Sequence, residues 1–253
     1  MPVFITGASS GLGAALARHY AAQGQTLGLL ARRADRLHSL IASLPGQHHV
    51  YAVDVCDRDA LHAAARHFQA QVGFVDTVIA SAGISAGTLT EYEDDFSVFS
   101  AIMQTNVNAT VSSFEPFVAE MKARRAGTLV GIASVAGVRG LPGAGAYSVS
   151  KAAVATYCES LRLELKPHDV HVVTIAPGYI KTEMTAQNPY SMPFLTDADE
   201  FAVRAAKAIA SARSYVVIPW QMGVVAKIMR VLPNWLYDRL AVDAPRKPRR
   251  SER

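Results

Sequence analysis

Seven short apolar runs, at residues 3–5, 26–31, 49–55, 77–80, 128–133, 170–175 and 215–218, alternate with longer segments of helical period. Near-continuous apolar runs of strand length suit a sheet buried on both faces, and helical crossovers are what parallel strands need as connections. The alternation therefore predicts an α/β fold: a single doubly wound parallel sheet of about seven strands flanked by helices. A chain of 253 residues can close one such domain, here expected over 1–220, around a large core. An apolar share of 50% against 18% charged residues excludes a disordered chain.

The first run carries the first chemical signal. Val3-Phe4-Ile5-Thr6 passes into Gly7-Ala8-Ser9-Ser10-Gly11-Leu12-Gly13 and then into Ala14-Ala15-Leu16-Ala17-Arg18. An apolar strand thus enters a glycine turn that opens a helix. Glycines there allow positive φ and close approach of a pyrophosphate, and the helix N-terminus offers N–H groups and partial positive charge. The spacing is G-x-x-x-G-x-G rather than the commoner G-x-G-x-x-G.

A second signal lies between Thr128 and Lys151. Ser134 ends the strand-like run Thr128 to Ala133, where a parallel sheet opens into a crevice. Tyr147 and Lys151 are four apart, so on a helix they share one face. A phenol titrates near ~10, too high for proton exchange at neutral pH, and a nearby ammonium is expected to lower it. A serine hydroxyl beside the pair can hold a substrate oxygen. The three residues read as a general acid, its tuner and a polariser.

Both segments together resemble the classical short-chain dehydrogenase/reductase family, over roughly residues 2 to 220. Thr6-Gly7-x-x-x-Gly11-x-Gly13 and Tyr147-x-x-x-Lys151 match the family's defining motifs, and further matches follow in order. Asp54-Val55 closes the third strand, expected over His49 to Val53, and matches an adenine-contacting Asp. Ser81-Ala82-Gly83 stands where the family has Asn-Ala-Gly, with Ser81 a smaller brace for the sheet. Asn106 matches the fourth catalytic residue, in a helix. Pro177-Gly178 follows strand six, and Thr182 matches a hydroxyl that touches the nicotinamide amide. The resemblance implies a Rossmann fold with Asn106, Ser134, Tyr147 and Lys151 as catalytic residues. It implies a nicotinamide dinucleotide held by Gly7, Ser9, Ser10, Gly11, Leu12, Gly13, Arg32, Arg33, Asp54, Val55, Ser81, Ala82, Gly83, Pro177, Gly178, Ile180 and Thr182, as well as by Asn106, Tyr147 and Lys151. It also implies a homodimer or homotetramer through the helices carrying Asn106 and Tyr147.

Cofactor choice is read at the end of the second run, Leu29-Leu30-Ala31-Arg32-Arg33. An NAD site of this type places a carboxylate there for the ribose 2′-hydroxyl, whereas here Ala31 is followed by two arginines. A guanidinium grips a 2′-phosphate through charged, forked bonds, so NADP(H) is expected over NAD(H), with Arg32 as the leading contact. The expected activity is reduction of a carbonyl by NADPH. The alternatives are the reverse alcohol oxidation and a non-catalytic NADP-binding sensor or scaffold. Met184, Tyr190, Met192, Phe194 and Leu195, in the segment after Pro177-Gly178, make an apolar wall suited to a lipid-like or aromatic ketone.

The formal net charge of +4 does not point to nucleic acid, because residues 244–253 carry all of it: Arg246, Lys247, Arg249, Arg250 and Arg253 against Glu252. That segment is expected to be a disordered tail. Residues 221–243 read as an amphipathic helical extension, with Val224, Val225, Ile228, Met229 and Leu232 on one face. It would pack on the body or a partner subunit, or dock peripherally on a membrane surface. Cys56 and Cys158 form no metal or disulfide spacing, no apolar run of spanning length occurs, and the first strand leaves no room for a signal peptide. A cytoplasmic location is the expectation.

Overall fold

The computed structural model describes residues 1–186 and 188–249. In chain order the strands are β1 (Val3–Thr6), β2 (Leu27–Ala31), β3 (His49–Ala52), β4 (Thr77–Ala80), β5 (Thr128–Ile132), β6 (His171–Pro177), β7 (Ile180–Lys181), β8 (Thr196–Asp197) and β9 (Tyr215–Ile218). The helices are α1 (Gly11–Ala22), α2 (Ala34–Ala42), α3 (Arg58–Val72), α4 (Asp95–Met103), α5 (Ala109–Arg124), α6 (Gly145–Leu165), α7 (Glu183–Ala186), α8 (Ala198–Ala210), α9 (Trp220–Val231) and α10 (Asn234–Ala241).

Seven strands form one parallel sheet in the order β3-β2-β1-β4-β5-β6-β9, while β7 and β8 pair apart from it. Val3 of β1 lies opposite Leu27 on one side and Thr77 on the other. The chain therefore builds outward from β1, crosses back, and continues from β4. A crevice opens beyond the carboxyl ends of β1 and β4, where the order reverses.

Each face of the sheet has its own core, because successive strand residues point to opposite sides. Ile5, Leu27 and Leu29 pack with Leu16 of α1 and Phe201 of α8. Phe4 and Leu30 face the other way, onto Phe68 of α3 and Phe114 and Phe117 of α5. The Phe4 ring lies 5.8 Å from that of Phe68 and 5.3 Å from that of Phe117. Gly28 makes room for this cluster: a Cβ there would come within 2.7 Å of Phe4 and 2.8 Å of Phe68. Phe4 is fully buried, so Phe4→Ala is expected to cost about 3–5 kcal/mol through lost burial and the cavity left behind. Urea unfolding would measure this; a loss under about 1 kcal/mol would mean that the cluster closes over the gap.

Three local features depart from the sequence reading. The third strand stops at Ala52, short of Val53, and Asp54 bends the chain away by accepting the Cys56 N–H at 3.0 Å. The helical stripe expected over Val224 to Leu232 is divided. Met222 and Ala226 are buried and Val225 and Met229 half-buried, whereas Val224 and Ile228 stay 48% and 54% exposed. The expectation of a disordered tail is corrected for residues 244–249, which lie against the body. Gly87 bridges to Arg249 in parallel, and Arg249 pairs with the buried Asp95, a carboxylate that needs a cation once withdrawn from water. Arg250, Glu252 and Arg253 fall outside the described residues. No helix among the described residues is long and apolar enough to cross a membrane.

Candidate active site

The turn after β1 is shaped by its glycines. Gly7 and Gly11 take φ of +68 and +54, where a side chain is strained. A Cβ on Gly13 would stand 2.4 Å from the Gly7 carbonyl oxygen, so only glycine lets α1 begin this close to the strand. Ser10 is the N-cap residue of α1, yet its hydroxyl makes no cap bond. Instead it accepts from the Arg33 guanidinium at 2.8 Å, and Ser9 accepts from the same group at 3.1 Å. The first-turn N–H groups of α1 are thus left for a ligand, with a guanidinium beside them.

Arg32 takes a different course. It is largely exposed and lies 3.7 Å from Asp54. Arg33, rather than the expected Arg32, is the arginine joined to the glycine turn, because it faces Ser9 and Ser10 across the cleft. Glu183 of α7 pairs with both Arg33 and Arg36. Those arginines, Arg36 foremost, hold its carboxyl below the usual range.

At the other end of the cleft, α6 presents Tyr147 and Lys151 toward the end of β5. Ser134 is buried; its hydroxyl accepts from the Ala136 N–H at 3.2 Å and donates to the Pro177 carbonyl at 3.4 Å. Burial pushes the Tyr147 phenol above its ordinary value; a hydrogen bond with Ser134 pulls it back, and the nearby Tyr190 adds to the rise. Lys151 is buried, its Nζ donates to the Ile132 carbonyl at 2.7 Å, and desolvation lowers its pKa to about 8. The expected lowering of the tyrosine by the lysine is therefore not the dominant effect in this geometry. Lys151 is buried and Tyr147 half-buried at the cleft wall, and desolvation pushes each toward its neutral form.

Asn106 is fully buried in a π-helical segment, Gln104–Asn108, between α4 and α5. Its Oδ1 accepts from the Ile84 N–H at 2.8 Å, and its Nδ2 donates to the Ile84 carbonyl at 3.0 Å and to Ser150 Oγ at 2.9 Å. The amide clamps the loop after β4 to α6. Gly83 lies in front of it: a Cβ there would meet Asn106 Oδ1 at 3.3 Å and Lys151 Nζ at 3.6 Å.

One cleft of about 390 Å³ joins the two ends. It is lined by Gly7, Ser9 to Gly13, Arg32, Arg33, Asp54, Val55, Ser81 to Gly83, Ser134, Tyr147, Lys151, Pro177, Gly178, Ile180 and Thr182. Of the catalytic and cofactor-binding residues expected from the sequence, Asn106 alone is set behind this lining. Thr182 stands over the glycine turn, where a Gly11 Cβ would reach its methyl at 3.5 Å. Of the expected apolar wall, Met184 lines the cleft and Tyr190 comes near enough to influence Tyr147, while Phe194 and Leu195 are about half exposed. Glu183 and Thr185 also line the cleft and were not foreseen; no motif marks them, and their place depends on how the segment after β6 folds back. The cleft fits an extended dinucleotide. Uncapped helix N–H groups and a guanidinium suit its phosphates, Asp54 suits a base, and the phenol and ammonium lie at the far end.

The family described as short chain dehydrogenase matches residues 2–192. The chain is 37% identical to an uncharacterized oxidoreductase of Myxococcus xanthus, over 94% of each chain. A short-chain dehydrogenase of Streptomyces avermitilis has a similar structure, with TM-score 0.81 and 24% identity, covering 96% of this chain and 98% of its own. A short-chain dehydrogenase of Sphingobium yanoikuyae, solved in complex with NADPH, gives TM-score 0.78 at 23% identity, covering 96% and 95%.

Proposed function

The chain belongs to the short-chain dehydrogenase family and is an NAD(P)-dependent oxidoreductase; from that premise we propose that it reduces an apolar or lipid-like ketone with NADPH. The observation carrying this reading is the convergence of Ser134, Tyr147 and Lys151 on the same cleft as Arg33, Ser9 and Ser10. A solved relative in complex with NADPH is consistent with it.

Bound at the cleft, the dinucleotide supplies the hydride. The protein's part is orientation and proton transfer. Ser134 holds the ketone oxygen through a bond that tightens as negative charge grows there. Tyr147, a phenol protonated at neutral pH and pushed further that way by desolvation, gives its proton to that oxygen. Lys151, titrating at about 8, is mostly charged at neutral pH and supports the departing proton electrostatically. Asn106 fixes the Ile84 backbone and, through Ser150, the helix bearing Tyr147 and Lys151.

Arg33 with Ser9 and Ser10 is assigned to a 2′-phosphate, and Arg32 is left with Asp54. Arg33→Ala is expected to weaken NADPH binding about 10–100-fold while leaving NADH little changed, the size of one charge-assisted contact. Equal losses for both dinucleotides would remove the assignment. A panel of aliphatic, aromatic and long-chain ketones, followed by NADPH oxidation, tests the activity. Tight NADPH binding with no ketone turned over would leave a non-catalytic sensor as the better reading. Within the same reading, the protein assembles as a homo-oligomer through α5 and α6. The exposed Trp220, Val224, Ile228 and Val231, beside Lys227 and Arg230, are assigned to peripheral contact with an anionic membrane. Co-sedimentation with anionic vesicles tests that contact; equal recovery with and without vesicles would dismiss it.

A further inference from the structure

The C-terminal residues cross two loops that flank the catalytic tyrosine. One loop runs from Gly83 and Ile84, which line the cleft, to Asp95 at the start of α4. The other runs from Ser134 to Gly143, four residues before Tyr147. The Gly87 N–H donates to the Pro248 carbonyl at 3.0 Å, and Lys247 Nζ donates to Ser85 Oγ at 3.0 Å. On the second loop, Arg246 packs so closely over Gly143 that a Cβ there would lie 3.1 Å from it. Gly143 in turn accepts the Thr88 N–H at 2.9 Å, so the two loops also meet each other under the crossing segment.

Arg249 anchors this arrangement. Its guanidinium donates to both oxygens of Asp95, at 2.8 and 3.1 Å, and covers the Tyr92 ring at 3.5 Å. The pair is well buried, with side chains 13% and 6% exposed for Arg249 and Asp95. Asp95 also accepts the Leu89 N–H at 2.8 Å, which ties the ion pair to the loop backbone. Ion pairs of this kind are costly to break on one side only, because the remaining charge stays buried.

We propose that residues 246–249 are a strap holding in place the loops that form one wall of the substrate opening, with Asp95 and Arg249 as its latch, and that this bracing determines which ketones fit. This rests on the reductase reading, since the wall matters only for a substrate meeting Tyr147. The strap joins the outer ends of the two loops whose inner ends carry Ile84 and Ser134. Residues 246–249 do not line the cleft themselves, so the strap sets the spacing between Ile84 and Ser134 from outside. A bulky ketone needs that spacing to widen, whereas a small one passes regardless.

The test compares the full chain with Asp95→Asn, Arg249→Gln, and a chain ending at Ala244 that leaves Asp95 in place. Amide hydrogen exchange without cofactor reads the latch directly: Gly87 and Leu89, whose N–H groups bond to Pro248 and Asp95, are expected to exchange faster in every variant. The ratio of kcat/KM for long-chain over short methyl ketones is expected to rise about tenfold, the scale on which a pocket wall discriminates size. Acrylamide quenching of bound NADPH fluorescence is expected to increase as the opening widens. Arg249→Lys, keeping the charge but not the fork, should fall between. Faster amide exchange with unchanged selectivity and quenching would overturn the wall while leaving a structural clasp. If the unaltered chain turns over no ketone, the reductase reading fails, and quenching alone then decides whether the strap covers the nicotinamide end.

Discussion

Tyr147→Phe is expected to lower the rate of ketone reduction about 10³-fold while NADPH binding persists, because the substitution removes the proton donor and keeps the ring. The phenol is the one hydroxyl on α6 that faces both Ser134 and the cleft, and it carries its proton at neutral pH, as a phenol ordinarily does. Ser134 is then left holding the ketone oxygen with no proton to deliver. Stopped-flow measurement of NADPH oxidation under single-turnover conditions reads the chemical step separately from binding. A rate within tenfold of the unaltered protein would mean that another group donates the proton, and the assignment of Ser134, Tyr147 and Lys151 would fall together.

The second large effect runs the other way. Lys151→Met is expected to abolish useful turnover and yet stabilise the fold at neutral pH by about 2 kcal/mol. Desolvation lowers the Lys151 pKa to about 8 from 10.5. Between those values the unfolded chain binds a proton that the folded chain releases, so stability climbs as pH rises through the window. Below pH 8 the folded protein carries the whole penalty, about 3 kcal/mol for a shift of that size. Methionine removes the penalty and forfeits the bond to the Ile132 carbonyl, worth about 1 kcal/mol. Urea unfolding of both proteins at pH 7 and pH 10 would show the difference shrinking at the higher pH. A difference that stays constant would place the lysine's titration elsewhere. The buried ammonium is thus a case of stability given up where chemistry needs a charge.

Local pattern was enough for the architecture. The seven apolar runs became the seven strands of the sheet because central parallel strands such as β1 and β2 are buried along their whole length, while the edge strands β3 and β9 are only partly covered. Most of the motif residues from Gly7 to Thr182 came to line one cleft for a related reason: apart from Tyr147 and Lys151, which α6 presents, and Asn106, which stands behind, they follow the carboxyl ends of strands, and the order reversal brings those ends together. Ser134 and Tyr147 could be placed because a strand end and a helical period of four are local properties.

What lay beyond the sequence depended on pairings between distant segments. That Arg33, not Arg32, joins Ser9 and Ser10 is a pairing across more than twenty residues of chain, decided by how the end of β2 meets the glycine turn. Glu183 reaches Arg33 and Arg36 across more than 140 residues of chain, a distance at which no spacing rule applies. The desolvation of Lys151, buried, and of Tyr147, half-buried, arises from the walls around them, so a pairwise argument about phenol and ammonium could not give the direction of either shift. The basic C-terminus reads by composition as solvated chain, and its charge remains that of a surface segment until Asp95 is buried opposite it. Periodicity, strand ends and turn chemistry belong to neighbouring residues and are written in their order. Partner choice among charged groups belongs to the fold, because which two groups lose water together is settled only when the chain has closed around them.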